Sequence, residues 1–203
     1  DLQESHNSAP GSFIASVPDC AQKAGVHPSD LIVTTDVGQH QMWAAQSYPI
    51  DAPRQFLTSG SLGTMGFGLP AAIGAATANP QKRVVCVSGD GSILMNVQEL
   101  ATLAEEGLDV TVIVLENGVL GMVRQQQEFL FSKRYSASRF AGQPDLLALA
   151  KAFGIAAVDA DSDADWYTKA FAKGPVLVRK RIAAEENVLP FVPAGKPNIE
   201  SIR

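Results

Sequence analysis

The sequence predicts an α/β fold: a doubly wound, mostly parallel sheet with helices on both faces. Three observations carry that expectation. Short β-branched or apolar runs alternate with helical stretches, the pattern of strands joined by crossover helices. Two of the runs, residues 83–88 and 110–115, are almost continuously apolar, as strands covered on both faces are. The segments that follow three strands, residues 36–40, 89–92 and 116–118, are small or polar. In open parallel sheets, ligands bind beyond the carboxyl ends of the strands, at a switch in strand order.

The elements follow in chain order. Residues 1–12 are polar and end in Pro10-Gly11-Ser12, which reads as a flexible linker closed by a break. Residues 13–203 form one domain. A short helix over 13–24 is stopped by Gly25 and Pro28. Residues 31–35 are a β-branched strand and 56–58 a very short one. Residues 69–79 are Ala-rich and helical, with Pro70 suited to a first turn. The strand at 83–88 leads to a helix over 96–106, whose Val97, Leu100, Leu103 and Ala104 share one face before Gly107 ends it. After the strand at 110–115 come a helix over 145–153 with Asp145 near its cap, a strand at 155–158, a helix around 165–172 and a strand at 176–179. The chain shows no internal repeat and no low-complexity tract.

Composition sets limits on function. The 203 residues are 46% hydrophobic and 18% charged, a balance that supports a full-sized core. The formal net charge of −5 argues against a nucleic-acid partner, which selects for a basic stripe, and against an anionic membrane surface. No apolar run approaches the roughly 20 residues that cross a bilayer. Cys20 and Cys86 are far apart and the three histidines are scattered, so a zinc site is not expected, and Cys86, inside an apolar run, reads as a buried free thiol. The cysteine usage fits a reducing, cytoplasmic setting. The chain starts without Met and without a signal-peptide core, as a processed product, an expressed piece or an excised domain does.

The chemistry concentrates after the strands. Gly89-Asp90-Gly91-Ser92 follows a strand and precedes a helix. Its glycines let the backbone approach a ligand closely, and backbone N–H groups in such turns favour phosphate. Asp90 offers a hard carboxylate oxygen, and Asn117, ending the next strand, an amide oxygen. One carboxylate, one amide and substrate phosphates make a common Mg²⁺ set. A Gly-Asp-Gly turn without a ligand fits the tripeptide as well, and Asn117 brings the two readings level. Residues 60–68 hold Gly60, Gly63, Gly66 and Gly68 but no Walker ending and no Gly-x-Gly-x-x-Gly. This loop is either a tight backbone crossing or a support under a flat ligand, with Met65 a core filler or part of that support. A Mg²⁺-dependent phosphotransferase lacks its cationic clamp, because Lys82 and Arg83 lie at the opposite strand end.

Four strings, DVGQHQMWAAQ (36–46), GSLGTMGFGLPAA (60–72), GDGSILMNVQE (89–99) and LGMVRQQQE (120–128), with the tail ENVLPFVPAGK (186–196), together resemble the thiamine-diphosphate-binding domain of acetolactate synthase (acetohydroxyacid synthase) large subunits. The resemblance runs from about residue 31 to 202. It implies that Asp90 and Asn117 hold Mg²⁺ by side-chain oxygens and Val119 by its carbonyl. It implies further that Val37, Gly38, Gln39, His40, Gly89, Gly91 and Ser92 line the diphosphate, although His40 also reads as a plain helix-start residue. Met65 becomes the wedge that bends the cofactor, Gly121 and Met122 pack near its pyrimidine, and Met122 and Gln126 face the substrate. The implied reaction condenses two 2-keto acids, pyruvate with pyruvate or 2-ketobutyrate, with loss of CO₂, toward branched-chain amino acids. Glyoxylate carboligase and 2-keto acid decarboxylases share Gly-Asp-Gly and Asn; QHQMWAAQ argues against them.

The family's large subunit has three domains, and this chain resembles only the last. The resemblance therefore implies a fragment that binds cofactor without turnover. The activating Glu belongs to a first domain of a partner subunit and FAD to a middle domain, so no catalytic residue is expected here. A homodimer or larger assembly, and a small regulatory subunit, come with the same resemblance. Three positions depart from the family: Glu116 replaces an Asn, Gln126 replaces a Trp of the second-substrate pocket, and Ala194 replaces a Pro. The second departure puts the preference for 2-ketobutyrate in question and predicts weak sulfonylurea inhibition of the complete enzyme.

Overall fold

The computed structural model describes residues 8–203. Six strands form one all-parallel sheet: β1 (Leu31–Thr35), β2 (Phe56–Thr58), β3 (Arg83–Gly89), β4 (Val110–Glu116), β5 (Ala156–Asp159) and β6 (Val176–Arg181), in the order β2-β1-β3-β4-β6-β5. From β1 the chain steps outward to β2, then returns to the other side of β1 for β3. The order thus switches between β1 and β3, whose register pairs Leu31 with Arg83 and Thr35 with Val87. Their carboxyl ends, Asp36 and Gly89, flank the crevice that such a switch opens.

Strand pleating sends alternate residues to opposite faces, and two separate cores result. Val33, Val85, Val87, Ile113, Leu115 and Val178 pack under α1 (Ala9–Lys23), α2 (Gln39–Ser47) and α8 (Trp166–Ala170). Ile32, Val84, Cys86, Val112, Val114 and Leu177 pack under α3 (Gly68–Ala78), α5 (Glu99–Glu105) and α7 (Leu146–Ala152). Both faces are covered, as the continuous apolar strands require. Cys86 is fully buried and both cysteines are free thiols. Among the described residues, no helix is long and apolar enough to cross a membrane.

Three features differ from the sequence reading. Helix α1 begins at Ala9, so residues 9–12 are helical rather than linker; residues 1–7 lie outside the described residues. The Ser8 hydroxyl accepts from Gly11 N–H at 3.1 Å, and Pro10 sits in the first turn, where its missing N–H costs nothing. The helix expected over 96–106 is regular only from Glu99 to Glu105, because Asn96 turns its side-chain amide to the Gly66 carbonyl at 2.7 Å. Helices α2 and α6 (Gly121–Leu130) were not outlined by apolar periodicity. Their buried faces are partly or wholly polar: Gln39, His40, Trp43, Ala44 and Ser47 in α2, Arg124 and Gln125 in α6.

Candidate functional site

The turn after β1 and the start of α2, the turn after β3, the turn after β4 and the start of α6 meet at one edge of the sheet. They enclose a cavity of about 280 Å³. Val37, Gly38, Gln39 and His40 reach it from β1 and α2. Gly89, Asp90, Gly91 and Ser92 reach it from β3 and the short helix α4 (Asp90–Ile93). Asn117, Val119, Gly121 and Met122 come from the β4–α6 connection, and Met65 from the glycine-rich loop. Gln126 stands apart: it is exposed on α6 and does not line this cavity.

Asp90 is 3% exposed. Its Oδ2 accepts from Asn117 N–H at 3.0 Å and Gly118 N–H at 2.7 Å, and its Oδ1 from Gly91 N–H at 2.9 Å. These bonds lock the β3 turn to the β4 turn across the strand pair. Each carboxylate oxygen has about two acceptor sites, so Asp90 retains capacity toward a cation. Asn117 Oδ1 accepts from Val119 N–H at 3.1 Å, which aims the amide oxygen back over its own turn. Val119 lies in an isolated antiparallel bridge with Arg139 whose hydrogen bonds use the Gly118 and Ser138 carbonyls, not its own. The Ser92 hydroxyl donates to Val37 O at 2.9 Å and ties the β1 and β3 turns together.

Two polar atoms on this wall lack partners. Gln39 donates through Nε2 to Gln125 Oε1 and to the Glu186 carbonyl, both at 2.8 Å, while its buried Oε1 has none. His40 Nε2 is also buried and unpartnered. Burial lowers the His40 pKa to about 3 and the Asp36 carbonyl pulls the other way, so the imidazole is neutral near pH 7. A Cβ at Gly89 would meet the His40 ring at 2.8 Å, so only glycine lets β3 end against it. Glu116, in contrast, turns to Arg179 and Arg181, 3.9 and 3.7 Å away. Burial raises its pKa and Arg179 opposes this.

Several residues at this edge escaped the sequence reading. Trp43, Leu115 and Ile182 add apolar lining. Asp36, 1% exposed, accepts from Val37, Gly66 and Gly68 N–H groups. Gln125 holds the Val188 backbone from both sides, at 3.0 and 2.8 Å. Arg124 binds the Glu185 and Glu186 carbonyls, Asn187 and, at 2.5 Å, Glu128. The segment 185–188 is thereby strapped onto α2 and α6. The only signal for this in the sequence was the tail string itself.

Residues 36–179 match the family described as thiamine pyrophosphate enzyme, C-terminal TPP binding domain. The chain belongs to this family. That match begins at Asp36 and spans every segment of the cavity wall except Ile182. The chain is also 50% identical over 177 residues to acetolactate synthase isozyme 1 large subunit of Escherichia coli K12, covering 85% of this chain and 32% of that protein. It is 46% identical over 205 residues to isozyme 2 of the same organism, covering 95% and 36%. It is 43% identical over 202 residues to the Lactococcus lactis large subunit, covering 98% and 34%. The chain thus spans about a third of the length of the curated relatives it matches.

The cavity suits thiamine pyrophosphate (thiamine diphosphate) on its own terms. The apolar wall of Trp43, Leu115, Met122 and Ile182 can take flat rings. The Gln39 and His40 atoms without partners require one, and a polar ligand beside them can supply it.

Proposed function

We propose that this chain is the cofactor-binding domain of an acetolactate synthase large subunit, holding thiamine diphosphate through Mg²⁺ at the carboxyl edge of β1, β3 and β4. The observation that carries the reading is convergence: thirteen of the fourteen residues named from the sequence line one cavity. Asp90 and Asn117 supply the oxygens for the metal, with the Val119 carbonyl as third donor. Among the described residues no cluster of three His, Cys, Asp or Glu could hold a metal, so the phosphates and water must complete the shell, as is usual for Mg²⁺.

Thiamine diphosphate, when bound, would supply a nucleophilic thiazolium carbon and a cationic ring able to take up the electrons released when a 2-keto acid loses CO₂. The chain's residues orient and shield. Met65 supports the bend between the two rings. Gly121 lets α6 begin beside the pyrimidine, and Met122 closes that wall. His40, neutral and buried, offers Nε2 as a polar contact without adding charge beside the diphosphate. Among the described residues, Asp90 is the only carboxylate that lines the cavity, and it is assigned to the metal; the reading therefore divides the labour, with the cofactor held by this domain and the activating carboxylate and FAD supplied by other domains. Met122 and Gln126 are kept as substrate-side residues; from its exposed position Gln126 would face substrate only in an assembly that closes over α6. Pyruvate and 2-ketobutyrate as substrates, a homodimeric site, a regulatory subunit and a cytoplasmic location belong to the same proposal.

The test is product analysis with pyruvate, using the complete subunit and this chain alone. The reading expects acetolactate from the complete subunit and no turnover by the chain. Free acetaldehyde as the main product would make the parent a decarboxylase, and acetolactate from the isolated chain would refute the division of labour.

A further inference from the structure

The glycine-rich loop reaches the cavity through Met65, yet Met65 is only half-buried and its loop is neither helix nor strand. Something must hold it. The two peptides that flank Gly66 are each held by a side chain. Gly66 N–H donates to Asp36 Oδ1 at 2.8 Å, and Gly66 O accepts from Asn96 Nδ2 at 2.7 Å. Asp36 Oδ2 takes Gly68 N–H at 3.3 Å, and its Oδ1 also takes Val37 N–H at 2.8 Å. Gly66 has φ +92°, a backbone state that favours glycine. A Cβ there would meet Asn96 Nδ2 at 2.7 Å and Met95 Cβ at 3.0 Å. Asp36 is 1% exposed, and a buried carboxylate is kept only where its acceptors are used.

The geometry points to Asp36 and Asn96 as positioning residues: together they clamp Gly66 by its N–H and its carbonyl and so fix Met65 against the ring portion of the cofactor. This rests on the cofactor reading above. The clamp joins the carboxyl end of β1 to the segment after α4, so it sets the loop against β1 and β3, two of the three strands that carry the site. Asp36 supplies the buried acceptor, Asn96 the donor, and neither lines the cavity itself.

The division between ring and diphosphate portions gives the test. Thiamine diphosphate and Mg²⁺–pyrophosphate are titrated separately into the wild-type chain and into Asp36→Asn, Asn96→Ala, Met65→Ala and the Met65→Ala/Asn96→Ala double variant. Asn96→Ala keeps the buried carboxylate intact and serves if Asp36→Asn does not fold. The clamp predicts that each single variant binds thiamine diphosphate about tenfold more weakly, while Mg²⁺–pyrophosphate binding stays within about twofold for Asn96→Ala and Met65→Ala; Asp36→Asn, whose carboxylate also holds Val37 N–H, is read by its thiamine diphosphate loss alone. It also predicts that Asn96→Ala adds nothing once Met65 is gone, a coupling that a general loss of fold does not produce. Equal losses for both ligands in Asn96→Ala or Met65→Ala, unchanged thiamine diphosphate binding, or additive losses in the double variant would each overturn it. A wild type that binds neither ligand removes the cofactor reading, and the clamp with it.

Discussion

The two edges of the sheet bury polar side chains to opposite ends. At the amino edge, Arg83 is 5% exposed and fully engaged. Its Nε donates to Thr111 Oγ1 at 3.0 Å, and its terminal nitrogens donate to Ala172 O, Asp109 Oδ1 and Ala170 O. Burial lowers its pKa to about 10 and Asp109 opposes this, so it stays charged at neutral pH. At the carboxyl edge, Gln39 and His40 are as deeply buried but each keeps an unpartnered atom beside a cavity. Saturated burial of a polar group locks the fold. Unsaturated burial at a glycine-walled cleft reserves hydrogen-bonding capacity for a ligand. Lack of a partner marks a binding role only together with a place on the cavity wall, which Gln39 and His40 have.

The contrast can be broken most sharply at Asp90. Asp90→Ala should weaken Mg²⁺–thiamine diphosphate binding by more than about a hundredfold, beyond the loss typical of outer-shell groups. Quenching of Trp43 fluorescence, on the cavity wall, can follow it. Arg83→Met should do the reverse. It strips the Arg83 donor from Ala172 O and one of two donors from Ala170 O, which keeps Thr111 Oγ1, and urea denaturation should register a loss on the order of 3 kcal/mol, with ligand affinity of the folded protein unchanged. Asp109 is partly exposed, so its own desolvation adds little.

His40 sharpens the comparison through pH. Its folded pKa of about 3 lies below its unfolded value near 6.5. The unfolded chain therefore takes up the proton first. The stabilising contribution is complete above about pH 6.5 and declines on acidification, by about 1.4 kcal/mol per pH unit, until pH falls through about 3. The other titrating groups are common to both proteins, so comparing the denaturation of wild type and His40→Gln between about pH 6.5 and 5 isolates the effect; the variant should lose less stability there. The smallest expected effect is at Ser8. Ser8→Ala removes the cap of α1 and should cost about 1 kcal/mol with no change in ligand affinity.

The strands and the helices α3, α5 and α7 were legible because their buried faces are apolar. Val84 and Val85, or Leu100 and Leu103, announce period and face directly. Helices α2 and α6 were not, since Gln39, His40, Arg124 and Gln125 occupy buried positions that an apolar pattern reads as surface. Pro10 misled for a related reason: proline breaks a helix interior but suits a first turn, and only the Ser8 cap distinguishes the two. Most cavity-lining residues were legible through their strings, Asp90 above all, while Asn117, outside every string, was legible from its place at the end of a strand. Asp36 was not picked out, although it lies in one of those strings, because its role is a set of backbone bonds to a loop thirty residues on. Gln126 matches a string but lies outside the cavity, since the string fixes its place on α6 and not what packs over that helix.

The most direct measurement is calorimetric titration of the wild-type chain with thiamine diphosphate and with unphosphorylated thiamine, each in Mg²⁺ and in EDTA. The account predicts binding of the diphosphate form in Mg²⁺ and its loss in EDTA, with thiamine weak in both. Equal binding of the diphosphate form in EDTA, or thiamine binding as tightly as its diphosphate, would contradict a site built on Asp90 and Asn117.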